Sequence, residues 1–296
     1  MHRQLLHRRR GADGRGRDRL RQVRRLPRHA ADARLLRARR RRAHRRRKGL
    51  GVATFLLVHG ACTGGWCWEK VVPLLEAAGH KACAPDLPGL GKDQTPPANV
   101  TLADNVEKLA RLLDKMEEQV ILVGHSLGGI TISQLAEARR RKLKALVYLC
   151  ALLPTSGKCG KDMTGLEPDA MFRLSRQVSP DGKTYTFARD KLPSLFYADV
   201  SPEDRYKAME RLRPQPLSIS TTPVTLTEER FGSVPRWYIE CTHDNAIRIN
   251  LQRTMVKMTP SKVLKLECGH SPFFSNPEEL VEHLETIAAA SPTRDV

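Results

Sequence analysis

Ser126 lies in "GHSLGG", where Gly124, Ser126 and Gly128 have the spacing G-x-S-x-G. The residues before it, "QVILVG", form an apolar β-type run, and those after it, "ITISQLAEARR", take a helical pattern. A serine on a sharp turn from strand to helix holds its Oγ out at the carboxyl edge of a sheet. Flanking glycines let neighbouring backbone approach, and the helix N-terminus favours negative charge developing beside the turn. With strand, motif and helix in register, the pattern predicts a nucleophile rather than a Gly/Ser turn that merely ends a strand.

A serine hydroxyl is a weak nucleophile until a base takes its proton. Six histidines lie outside the first 50 residues. His59 and His125 adjoin glycines already in use, His80 opens a strand, His283 falls within the terminal helix and His243 precedes the acid candidate. His270, in "KLECGHSPFF", follows the last strand and so stands at the same sheet edge as Ser126. Asp244, in "YIECTHDNAI", follows the preceding strand, and the chain order Ser, acid, His selects this pair. Asp86, in "APDLPGLG", is the main rival acid, although its Pro/Gly-rich setting reads as a structural turn; Glu240 is expected within a strand. A tetrahedral oxyanion needs two N–H donors. Leu127, after the nucleophile, offers one, and Ala61 in the "HGA" turn offers the other, with Gly60 allowing the close approach.

These residues meet only if the right elements carry them. From Val52 onward, short β-rich runs alternate with amphipathic stretches, the signature of an α/β fold with a mostly parallel, doubly wound sheet. Strands are expected at 53–59, 80–85, 119–124, 143–150, 235–241 and 262–267, about six in all, with helices at 67–78, 101–117, 127–141, 246–258 and 277–289. In "SNPEEL", Asn276 reads as an N-cap, Pro277 as the first helical residue and Glu279 as the partner in a capping box. Residues 154–233 break the alternation with no convincing buried strand. Their helical stretches, among them "SPEDRYKAMERL" opened by Ser201, and their aromatic and methionine content predict a helical lid. Phe172 and Phe196 from this lid, with Gly60 and Trp66, are the candidate substrate-binding residues; by composition alone Trp66 and Trp68 serve equally well as core anchors.

The formal charge of +19 is unevenly spread. Residues 1–50 hold 21 Lys and Arg against 3 Asp, whereas the remaining 30 basic and 29 acidic residues leave the rest at +1. The fold itself therefore calls for no polyanionic partner, and nucleic acid enters only through the arginine-rich segment 1–51. That segment cannot bury a core and is expected to be disordered or a non-native extension read through an upstream start, the native start lying near Val52. A nucleic-acid or anionic-lipid arm and a transit peptide are the other readings, the last weakened by the absence of Ser. Residues 291–296 read as a C-terminal tail. Seven cysteines in apolar strands, with no C-x-x-C pair, point to a reducing cytoplasm, and no run has the length of a membrane span.

"FLLVHGACTGGWCWEKVVPLLEAAGHKACAPDLPGLG", "GHSLGG", "FYADVSPED", "CTHDNAI" and "GHSPFFSNPEEL" together resemble the α/β-hydrolase group of plant methylesterases, plant hydroxynitrile lyases and bacterial carboxylesterases. The resemblance runs from Val52 to Ala290 and implies the α/β-hydrolase fold, with the domain at 52–290. It implies Ser126 as nucleophile, His270 as base, Asp244 as orienting acid, and Ala61 and Leu127 as oxyanion donors. The lyases of the group carry threonine where Gly60 stands and lysine where Ser271 stands, so the resemblance favours hydrolysis. The expected protein is a serine carboxylesterase acting on small to medium apolar esters through an acyl-enzyme, with no cofactor and no metal. A lyase or acyl-transfer activity on the same residues, or a ligand receptor that keeps the fold without useful turnover, are the alternatives. Its expected partner is a small-molecule ester, without a membrane; an oligomer is compatible with the sequence.

Overall fold

The computed structural model describes residues 51–293; the expectations for residues 1–50 and 294–296 lie outside the described residues. The strands are β1 (Thr54–Val58), β2 (Lys81–Cys83), β3 (Val120–His125), β4 (Leu143–Leu149), β5 (Arg176–Val178), β6 (Thr184–Phe187), β7 (Gln215–Pro216), β8 (Arg236–Cys241) and β9 (Lys262–Leu266). Six of them form one parallel sheet in the order β2-β1-β3-β4-β8-β9, at the six places the sequence predicts. The central strands read as unbroken apolar runs because both faces are covered. Along β3, Ile121 and Val123 enter one core while Val120 and Leu122 enter the other; Phe55 and Leu57 against Leu56 and Val58 repeat this in β1.

The longer helices are α1 (Val71–Ala77), α2 (Leu102–Asp114), α3 (Gly128–Arg139), α4 (Pro202–Glu210, in the insertion), α5 (Ile249–Met258) and α6 (Pro277–Ala290). α1 and α6 pack on one face through Val71, Leu75, Leu280 and Leu284, and α2, α3 and α5 on the other through Leu109, Leu113, Ile130, Leu135, Leu251 and Met255. α2 starts at Thr101, whose hydroxyl accepts from the Asp104 N–H while the Asp104 carboxylate accepts from the Thr101 N–H. α3 is buried on nearly every side, so it carries no polar stripe. α6 has Pro277 in its first turn, but the expected Asn276–Glu279 capping box does not form. A short helical turn at Pro272–Ser275 runs directly into α6, and the Asn276 side chain donates to the Glu279 carboxylate at 3.5 Å instead of accepting a backbone N–H.

The segment between β4 and β8 holds short helices, including α4 capped by Ser201 as expected, but it also holds a small antiparallel sheet, β5-β6-β7. The purely helical expectation for this insertion is thereby corrected. Its strands are two to four residues long, with Tyr185 and Phe187 buried and Thr186 exposed between them. An alternation that brief carries too little signal to separate from a loop. Packing of Tyr185, Phe187, Leu195 and Phe196 into the core on the α1/α6 side fixes the insertion over the carboxyl ends of the strands.

Candidate active site

The turn after β3 places Ser126 at φ +52°, a left-handed conformation disfavoured for any residue with a Cβ. Three backbone bonds hold it: Ser126 N–H donates to Leu149 O at 3.3 Å, and Ser126 O accepts from Gly129 at 3.1 Å and Leu152 at 3.0 Å. Gly128 lets the first turn of α3 pack against the end of β1, since a Cβ there would sit 2.7 Å from His59 O. The loop after β1 comes equally close: a Cβ on Gly60 would lie 2.9 Å from Ser126 Cβ and 2.8 Å from His125 Nδ1.

Ser126, His270 and Asp244, 144 and 26 residues apart, form one hydrogen-bonded line. His270 Nε2 is 3.0 Å from Ser126 Oγ, and His270 Nδ1 is 2.6 Å from Asp244 Oδ2. A carboxylate only accepts, so Nδ1 carries the proton and Nε2 faces the hydroxyl as acceptor. The other Asp244 oxygen, Oδ1, accepts from Ala246 N–H at 2.7 Å and Ile247 N–H at 2.9 Å. Asp86 is a structural residue, as its setting indicates: it accepts from Gly65 N–H and Lys92 N–H. Glu240 lies inside β8. The loop of His270 has a partner that no local pattern flags: Asp199, in the insertion, accepts from Gly269 N–H at 2.7 Å.

Ala61 lines the same cavity as Ser126 and Leu127 follows it in the chain; among the described residues, neither backbone N–H finds an acceptor within the protein. The Ala61 turn is tied down by His59, whose Nδ1–H donates to Gly60 O at 2.9 Å while Nε2 accepts from Leu87 N–H at 3.0 Å. His125 Nε2–H donates to His270 O at 2.8 Å, joining the elbow to the histidine loop. Both imidazoles serve as neutral struts. Burial lowers His59 to about 4 and pushes His125 well below the usual histidine range, the neighbouring His270 adding to the latter.

These struts make the fold acid-sensitive. Between about pH 6.5 and 4 the unfolded chain binds a proton at His59 that the folded protein refuses, so stability is complete above that window and falls as pH drops through it. His59 alone accounts for a loss of about 3 kcal/mol at the lower end, and His125 adds to it. Urea midpoints measured from pH 7 to 4.5 are expected to fall steeply, and less steeply in a His59→Gln variant; parallel curves contradict this assignment.

A narrow cavity of about 20 Å³, room for one water molecule, opens on Ser126 and His270. Ala61, Phe196, Tyr197, Leu212 and Phe273 give it apolar walls, and Thr63 and Ser271 add hydroxyls. Of the expected pocket residues, Phe196 lines this cavity and Gly60 lies against the elbow. Phe172 packs behind Phe196 and Phe187, and Trp66 stacks on Phe274 under the Arg211 guanidinium. Tyr197, Leu212, Phe273 and Thr63 are the lining residues that sequence reasoning missed, because only packing of the insertion brings the first two to the site. Cys150 lies beneath, its thiol 3.6 Å from His270 O and pushed up to about 12 by burial, so it behaves as a small core residue.

A nucleophile elbow at the carboxyl edge of a parallel sheet, followed by an acid and then a histidine on later loops, defines a class of hydrolase folds. A model of the alpha/beta hydrolase family matches residues 55–283, and the chain belongs to that family. Among individual relatives, Salicylic acid-binding protein 2 of Nicotiana tabacum is 35% identical over 250 residues, covering 79% of this chain and 96% of the relative. Methyl jasmonate esterase 1 of Vitis vinifera is 32% identical, over 79% of this chain and 95% of the relative. A solved structure, a pyrethroid hydrolase from Sphingobium faniae JZ-2, superposes with a TM-score of 0.74 at 33% identity, over 81% of this chain and 98% of that one.

Proposed function

We propose that the protein is a serine carboxylesterase for small to medium apolar esters. The observation that carries this reading is the unbroken line from Ser126 Oγ through His270 to Asp244 Oδ2, at 3.0 and 2.6 Å. Ser126 attacks the ester carbonyl as His270 Nε2 takes its proton, and Asp244 stabilises the resulting imidazolium. The carbonyl π pair moves to oxygen, which the Ala61 and Leu127 N–H groups receive. Collapse expels the alcohol with the proton from His270. Water then attacks the acyl-enzyme along the same proton path and releases the acid, restoring Ser126.

The apolar walls of the cavity support an apolar acyl or alkoxy group, and the relatives named for ester cleavage support the bond type. Gly60 and Ser271 support hydrolysis over cyanide release, since no cation follows His270 to stabilise a departing anion. The insertion acts as a lid: Phe196, Tyr197 and Leu212 line a cavity with room for one water, so an ester is accommodated only when lining side chains move. Free cysteines, most of them buried, support a reducing compartment such as the cytoplasm.

The test is covalent and kinetic together. A fluorophosphonate is expected to add once, on the peptide containing Ser126, and p-nitrophenyl esters of graded chain length are expected to turn over. Labelling of Ser126 with negligible turnover of every ester overturns the esterase reading in favour of a receptor.

A further inference from the structure

We propose that Gln215, on the insertion strand β7, is a positioning residue for the Ala61 N–H, so that the oxyanion site is complete only with the insertion seated. The inference rests on the esterase reading above. The Ala61 N–H lies in the Gly60–Ala61 peptide plane, so its place depends on how that plane is held and on how the turn is anchored on either side of Ala61. The plane before it is set within the loop, where Gly60 O accepts from His59 Nδ1–H at 2.9 Å and from the Thr63 hydroxyl at 3.1 Å. The plane after it is set from outside: Cys62 N–H donates to Gln215 Oε1 at 3.0 Å.

The next residue shows why an outside hold is needed. Cys62 has φ +63°, a left-handed conformation that a residue with a Cβ adopts only under constraint. The insertion supplies that constraint on both sides, since Cys62 O also accepts from Arg213 N–H at 2.9 Å. The cysteine thiol adds a longer contact, 3.9 Å, to Tyr185 O. Without the glutamine acceptor the Ala61–Cys62 peptide loses its outside hold and Cys62 relaxes toward negative φ, so the turn shifts on the framework and carries the Gly60–Ala61 peptide, with its N–H, from the place where the oxyanion forms. Gln215 is itself held rigidly, buried at 2% exposure and paired through β7 with Tyr185 of β6. A buried amide is costly unless its oxygen is used, and this oxygen is used on the loop beside Ser126.

Gln215→Met keeps length and burial and removes the acceptor. Its kcat is expected to fall about 10- to 100-fold with KM within about twofold, a partial form of losing one oxyanion donor. A merely structural role is separated by two ligands. A trifluoromethyl ketone forms a bond to Ser126 Oγ, its carbonyl pair becomes an oxyanion and the serine proton goes to His270. Its affinity is expected to drop by the same factor as kcat/KM. The matching secondary alcohol forms no adduct and is expected to bind as before. Unchanged kcat, or equal weakening of both ligands, overturns the proposal; Gln215→Ala, read the same way, replaces the methionine variant if that one fails to fold. A wild-type protein that neither cleaves esters nor binds the ketone sinks the esterase reading itself, and the positioning role with it.

Discussion

Ser126→Ala is expected to lower kcat for a p-nitrophenyl ester by about 10⁴- to 10⁶-fold while KM stays close to wild type. Alanine removes only Oγ, the atom 3.0 Å from His270 Nε2, and leaves the cavity walls untouched. The backbone at φ +52° is no harder for alanine than for serine, so the elbow and its bonds to Leu149 and Leu152 persist. Residual activity reflects water attacking a carbonyl still polarised by the two N–H donors. Steady-state kinetics with the unfolding midpoint as a control decide it. Turnover equal to wild type would falsify the acyl-enzyme mechanism.

Asp244→Asn is expected to cost about 10⁴-fold in kcat near neutral pH, with the fold retained. The reason lies in the second carboxylate oxygen. Two backbone N–H groups, from Ala246 and Ile247, point at Oδ1 and accept no substitute for an oxygen. They orient the asparagine amide so that its carbonyl stays with them and its NH2 faces His270 Nδ1. Nδ1 then has to accept, the ring proton moves to Nε2, and the imidazole meets Ser126 as a donor rather than a base. A loss below about tenfold, with the variant folded, contradicts this orientation of the ring. A large rise in KM with little change in kcat does so equally, because Asp244 does not line the cavity.

The elbow was legible in the sequence because strand, glycine spacing and helix are all local: "QVILVGHSLGG" encodes its own turn. The six parallel strands were legible for a related reason, since burial on both faces leaves unbroken apolar runs that stand out from their surroundings. His270 and Asp244 followed from those strands, each on the loop after a run already identified. Asn276 stands at the N-cap of α6 and Pro277 opens the helix as expected, but the capping-box bonds with Glu279 do not form, because such a cap depends on what precedes it and a helical turn precedes this one. The sheet of β5, β6 and β7 was missed because its strands are too short for periodicity, and β7 joins the β5–β6 hairpin from a segment some thirty residues further along the chain.

The sequence by itself thus determined the class of fold, the serine at the turn after β3 and the chain order of the carboxylate and histidine that meet it, because local pattern and chain order carry that information. Only the tertiary structure decided which insertion side chains close over Ser126, and that Trp66 and Phe172 stand back from it. The same holds for the bonds from Gln215 and Asp199 that steady the two loops flanking the nucleophile. Those contacts join residues 70 to 153 positions apart, and nothing in the immediate neighbourhood of either partner specifies the other.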